Sequence, residues 1–373
     1  MSLADIPILL VFAFTAFVSP IDEPKPCQGI VVAADKVTAD SLAQWAKAEQ
    51  QVILNLSTCT DDMNHQAANL IQASGLEIGY FIEVGRCPEL ADAHPEWMAS
   101  LQGHPEWRRL FPDFPATGAN QVVKNYPWVP VYYREALDAH RERIRKLLDG
   151  KPAAKRIWLN DIQGGPSACG CGHPLCRWTA DYGPIKTART IGDTGPAEFV
   201  QTIRELAPNA EVIPILTTEC ELDDKEHECA GVNCFEGICW KAFSKQLAAI
   251  DTDSPRIGLA CFYREFGRDL ERYGDEAVWV RTAVQSLETM PPKRSGKAIG
   301  SDRVIAVLQG WNVNESEIEQ QKRMALESGA GGWLLVQTPI DQSWKPRMFD
   351  YDPEKVSQFA SESEHSDHGK HDH

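Results

Sequence analysis

Positive charge is scarce in this chain. Lys and Arg number 37 against 53 Asp and Glu, which leaves a formal net charge of −16. A field of that sign repels phosphate backbones and anionic lipid surfaces, so no nucleic acid is expected as a partner. Long apolar runs are missing too. The one strong run, residues 6–18, is too short to cross a bilayer. It has the length of a signal-peptide core, so residues 1–20 are expected to be a signal peptide, although Asp5 stands where a basic residue is usual. Export to an extracytoplasmic location (periplasmic or secreted) follows, with no stable membrane insertion after processing. Histidine is also sparse: of 10, four are His365, His368, His371 and His373. They lie in a polar, His-rich tail, 351–373, expected to be disordered and at most a weak binder of divalent metal.

What is present suits one large domain. Hydrophobic residues make up 43% of 373, and Trp alone contributes 11. Short β-branched runs alternate with amphipathic segments. The strand candidates are 29–33, 52–56, 77–83, 156–161, 211–216, 256–263, 303–309 and 332–337. They are apolar on both faces, as buried parallel strands are. Helical patterns fill 41–50, 64–73, 133–148, 197–206, 270–287 and 315–326, with helix starts at Thr38 and Asn314. Strands alternating with helices in this way predict an α/β fold, a (β/α)8 TIM barrel over 27–350. Three insertions are long: 84–130 after the third strand, 163–195 after the fourth, and the Cys-rich stretch after the fifth. All follow strands, so they are expected on the carboxyl face, where barrels carry their sites.

Strand ends therefore nominate the site. They supply Asp35 after the first strand, Glu83 and Arg86 at the third, and Asn160 and Asp161 at the fourth. Later ends supply Glu219, then Tyr263, Arg264 and Glu265, then Gln309 and Trp311, then Gln337. This ring is rich in carboxylates, amides and aromatics. It has no His-x-His pair after the first strand, which excludes the metal-dependent amidohydrolase pattern. No Gly-rich phosphate loop follows strands seven or eight, and no spacing fits a radical iron–sulfur site. Acid/base chemistry with paired carboxylates remains, as in glycoside hydrolysis, where one carboxyl donates a proton and another attacks or activates water.

Cysteine adds a separate feature. Seven of 11 lie in two stretches: Cys169, Cys171 and Cys176, then Cys220, Cys229, Cys234 and Cys239. In an exported chain, cross-loop disulfides are expected. Structural zinc held by Cys169, Cys171, His173 and Cys176 is the alternative; no other cofactor is expected. Cys59 and Cys87, after strands two and three, could form a further pair, and Cys261 inside strand six reads as a buried free thiol.

Three segments carry a family likeness: residues 126–148, the two His-Pro-Glu-Trp copies at 94–97 and 104–107, and residues 156–178. Together they resemble the glycoside-hydrolase-like barrels of environmental bacteria. The resemblance covers about half the chain and implies no single activity. It is similar to α-galactosidase- and α-fucosidase-type families in placing an acid, here Asp161, at the end of strand four as nucleophile or charge stabiliser. By the same resemblance Glu265, on strand six, is the leading acid/base, with Glu219 or Glu83 behind it. The alternatives are a carbohydrate-binding barrel without catalysis and a metal-binding protein built on the Cys clusters.

Overall fold

The computed structural model describes residues 26–98, 101, 108, 111–118, 120–131, 134–162, 195–217, 232–233, 238–239, 256–262, 276–289, 300–340 and 345–350. Eight parallel strands close on themselves: β1 (Cys27–Val32), β2 (Gln51–Asn55), β3 (Ile78–Glu83), β5 (Arg156–Asn160), β6 (Glu211–Thr217), β9 (Ile257–Cys261), β10 (Val304–Gln309) and β11 (Gly332–Val336). The closing pair is β1 with β11, in parallel register from Cys27 opposite Gly332 to Val31 opposite Val336. The expected barrel is therefore correct, and each of its strands lies within a few residues of the sequence reading.

Period-two alternation sorts the side chains of each strand. Val31, Ile53, Phe81, Trp158, Ile213, Ile215, Val307 and Leu334 share one buried cluster that fills the barrel. Their neighbours, such as Ile30, Tyr80, Leu159 and Leu308, join a second cluster against the surrounding helices. Those helices are α1 (Ala39–Lys47), α2 (Asp61–Ala73), α4 (Arg134–Leu148), α5 (Gly195–Leu206), α6 (Glu276–Thr289) and α7 (Glu315–Glu327), with a short α3 (Pro88–Ala93) in the insertion after β3. At Gly332, φ is +147° and an added Cβ would fall 1.9 Å from the carbonyl oxygen of Cys27, so only glycine lets β11 close on β1.

Both helix starts read from the sequence are built as reciprocal caps. Thr38 exchanges bonds with Ser41, and Asn314 with Glu317. Asn314→Ala should cost about 1 kcal/mol, seen as a lower urea midpoint with an unchanged slope.

The amino end of the barrel is a floor of ion pairs. Arg156 reaches Glu77 at 2.9 Å and Glu211 at 3.0 Å, and Arg256 adds a contact to Glu211 at 3.5 Å. With that end closed by charge, the carboxyl end is the place for chemistry.

One feature on the carboxyl side went unread in the sequence. Strand β4 (Gln121–Tyr126), inside the insertion after β3, pairs antiparallel with β12 (Lys345–Asp350), which follows the last barrel strand. Arg347 on β12 lies 4.5 Å from the Tyr126 ring centre and 5.1 Å from that of Phe349, and it pairs with Asp92. Phe349 also packs on a cluster formed by Ala91, Trp97, Met98 and Val129 of the insertion with Ala136 of α4. The C-terminal strand thus clasps the insertion. Arg347→Ala should cost about 1 kcal/mol there, read as severalfold faster amide hydrogen exchange at 121–126 while the barrel strands stay protected.

Two further strands, β7 (Val232–Asn233) and β8 (Ile238–Cys239), form a small antiparallel pair. No described helix is long and apolar enough to cross a membrane. The expected signal peptide, the His-rich tail and the first Cys stretch lie outside the described residues, and so do the side chains of the second stretch.

Cys59 and Cys87 correct an expectation: both are free thiols. Cys59 packs against the layer between barrel and helices, at the start of α2. Cys87 is buried at the head of α3, where its N–H donates to the carbonyl of Pro127. The two strand ends place their cysteines in different layers. Cys261 is buried and free, as expected, and burial raises its thiol pKa.

Candidate active site at the barrel mouth

The site is built from the last inward residues of β3 and β5. On β3, Phe81 fills the barrel, so Glu83, two residues on, faces the same way at the rim. On β5, Trp158 fills the barrel, and Asn160 occupies the matching rim position. The register sets Glu83 directly opposite Asn160. Asn160 Nδ2 donates to Glu83 Oε2 at 2.9 Å, a bond between buried side chains. Asn160 Oδ1 and the Trp158 indole N–H are also buried and find no partner among the described residues.

Burial governs the Glu83 carboxyl. Loss of water pushes its pKa up to about 7, against the opposing pull of the Asn160 amide and the Arg86 and Arg143 charges. A carboxyl poised there holds or releases a proton at neutral pH, the property a general acid/base needs. Its backbone is fixed as well. The Glu83 N–H donates to Ser57 Oγ at 3.0 Å, and the Ser57 N–H donates to Asn55 Oδ1 at 2.9 Å. The ends of β2, β3 and β5 therefore form one hydrogen-bonded rim.

Asp161 follows Asn160 and is 3% exposed. Its φ is +54°, a left-handed conformation that non-glycine residues adopt at a cost of about 1 kcal/mol or more. Asn312, just past β10, shares it at +57°. Two of the three non-glycine residues with positive φ among those described thus sit where strands turn into the mouth. The Asp161 carbonyl accepts from Gly85 N–H at 2.8 Å, which ties the chain after β5 to the chain after β3.

The other nominated residues divide sharply. Arg86 is half-buried beside Glu83 and bridges to Trp128. Gln309 is fully enclosed, with Nε2 donating to the Trp311 carbonyl at 3.1 Å and its own carbonyl accepting from Gln321. Trp311 is buried against Phe262, ring centres 4.9 Å apart, and packs the interior top. Asp35 is exposed and pairs with its neighbour Lys36 at 3.0 Å; Gln337 is exposed too. Glu219, Tyr263, Arg264 and Glu265 lie outside the described residues, as do Cys169, Cys171, His173 and Cys176. No cluster of three or more metal-ligating side chains occurs among the described residues.

Arg143 escaped the sequence reading. It stands on α4, away from any strand end, yet its Nη2 donates to the carbonyls of Glu83 at 2.8 Å and Val84 at 3.1 Å. A signal was available. Arg143 is three residues from His140 and seven from Ala136, both buried, so helical periodicity puts it on the face turned to the barrel.

No protein-family model matches this sequence, and no curated protein is similar to it. Among solved structures, a beta-galactosidase from the psychrophilic Marinomonas ef1 is similar at 8% identity and a TM-score of 0.47, over 90% of this chain and 59% of that one. A beta-galactosidase from the haloarchaeon Halorubrum lacusprofundi is similar at 12% identity and 0.45, over 90% and 57%. A pyruvate kinase from Pyrobaculum aerophilum follows at 10% and 0.37, over 91% and 71%. The chain spans less than two thirds of the length of either galactosidase. The barrel stands on its own closed strand register.

Proposed function

We propose that this protein is a glycoside-hydrolase-like enzyme acting outside the cytoplasm on a neutral glycan, with Glu83 as the proton-carrying carboxyl and Asp161 as nucleophile or charge stabiliser. The observation that carries the reading is the enclosed Glu83–Asn160 pair at the mouth, with Asp161 next in sequence to Asn160. Glycoside hydrolysis takes two carboxyl groups, one to donate a proton and one to act as nucleophile or charge stabiliser. Glu83 takes up a proton because its surroundings exclude water. In this reading it delivers that proton to the departing glycosidic oxygen as the C–O bond breaks, Asp161 meets the positive charge that develops on the sugar ring, and water adds to the ring carbon, its proton returning to Glu83. The acidic field of the chain disfavours phosphorylated or polyanionic substrates, whereas neutral polyols are read by amides and carboxylates. Glu265 and Glu219, which lie outside the described residues, stay in the proposal as candidates from the sequence.

The test is hydrolysis of a panel of aryl glycosides and neutral polysaccharides by the full chain, Glu83→Gln and Asp161→Asn. Turnover in the first and its collapse in both variants supports the reading. Equal turnover in all three, or none on any substrate, overturns it.

A further inference from the structure

We infer that Arg143 is a positioning residue for Glu83: its guanidinium pins the backbone that carries the carboxyl and brings a fixed positive charge to that part of the rim. The inference deepens the proposed function by assigning the control of its acid/base group to a helix outside the strand ends.

Three observations carry it. First, one nitrogen of Arg143 bonds two successive carbonyls, those of Glu83 and Val84, so the chain cannot rotate at the rim without breaking both bonds. Second, α4 grips the insertion at another point. His140, one turn earlier and fully buried, uses Nε2 to bond the Val129 carbonyl at 3.0 Å, and Val129 N–H in turn donates to the Gly85 carbonyl at 2.8 Å. Glu83, Val84, Gly85 and Val129 are therefore all held, directly or at one remove, from a single helix face. Third, Arg143 Nε is buried without a hydrogen-bond partner among the described residues. An enclosed donor left unmet on a half-buried guanidinium is costly, and helix packing alone does not call for it. A carboxylate nearby offsets that cost by Coulomb attraction.

The groups around Glu83 come from four elements. Ser57 stands after β2, Arg86 after β3, Asn160 and Asp161 at the end of β5, and Arg143 with His140 on α4. Burial and the Arg143 charge push His140 down to about 3, so it stays neutral and adds no competing positive charge. Arg143 is thus the one charge on α4 acting on Glu83, and its removal takes away an attraction to the ionised form. The proton should then be held to higher pH.

The experiment follows the Glu83 carboxyl itself, in the resting protein without substrate. Infrared difference spectra between each protein and its Glu83→Gln counterpart isolate the carboxyl band from pH 5 to 9. Arg143→Gln should raise the midpoint by about half a pH unit. Arg143→Lys, which keeps the charge, should leave the midpoint where it is in the wild type. Should the glutamine variant fail to fold, Arg143→Met keeps the packed stem and should show the same rise. An unchanged midpoint in the folded neutral variants overturns the inference, as does an equal rise in Arg143→Lys. Because no turnover is read, this result is separate from that of the glycoside panel. If the panel is positive, the pH optimum should move with the midpoint while KM changes little.

Discussion

Glu83→Gln should fold, lose turnover by about a thousandfold or more, and become the more stable protein at alkaline pH. The loss of rate is the scale expected when a positioned proton donor is removed from a transition state. The glutamine keeps the shape of the side chain and can still meet the Asn160 amide, so the hydrogen bond at 2.9 Å is replaced and not left open. The stability effect has a definite sign. The folded carboxyl is raised from its ordinary value near 4.5 to about 7 by burial, with the Asn160 bond and the two Arg charges opposing. Below the unfolded value both states hold the proton and the contribution is fully present. Between the two values only the folded state holds it, so stability falls as pH rises, and above about 7 the contribution is lost. The whole window is worth about 3 kcal/mol by linkage. Urea titrations at pH 5 and pH 8 should show that fall in the wild type and its absence in Glu83→Gln. A variant that tracks the wild type at both pH values would mean that Glu83 titrates like an open carboxylate.

Trp158→Ala should cost about 3 to 5 kcal/mol. Trp158 is wholly enclosed, opposite Phe81 in register and packed with Ile213 and Ile215 in the interior cluster. The interior of a closed barrel has nowhere to collapse from, because each strand is held by two neighbours, so the void stays. Trp158→Phe separates packing from polarity. It keeps a ring and removes an indole N–H that finds no partner among the described residues. Removing an unmet buried donor regains its desolvation penalty, about 1 to 3 kcal/mol. That gain offsets most of the lost ring volume, and the phenylalanine variant should lie within about 1 kcal/mol of the wild type. Equilibrium urea unfolding of the three proteins decides the matter. An alanine variant as stable as the wild type would mean that the interior collapses freely.

These two residues show how far the sequence could be read. Trp158 is recognisable as core from its place in the run 156–161, and Glu83 as a rim acid from its place after 77–82. Their ranking was not legible. Asp35, Glu83, Asp161, Glu219 and Glu265 all follow strands in the same manner, and residue type alone does not separate a buried acid from an exposed one. Asp35 turned out exposed and paired with Lys36, while Glu83 is enclosed. Gln309 and Trp311 followed the same rule and proved to be tied into the interior.

The sequence by itself determined the local structure of this protein. Apolar runs of five to seven residues became strands because both faces are buried in a parallel barrel, and Thr38 and Asn314 started helices because their side chains meet backbone donors three residues away. Those interactions lie within one turn or one strand, so they are written in adjacent letters. Tertiary structure alone decided the site. Glu83 and Asn160 are separated by 77 residues and meet only because β3 and β5 pair in one register. Arg143 reaches the Glu83 carbonyl from a helix 60 residues on, and β12 clasps β4 from the far end of the chain. The proton affinity of Glu83 follows from this enclosure, because desolvation depends on every element that closes over a group and not on the residues beside it in sequence.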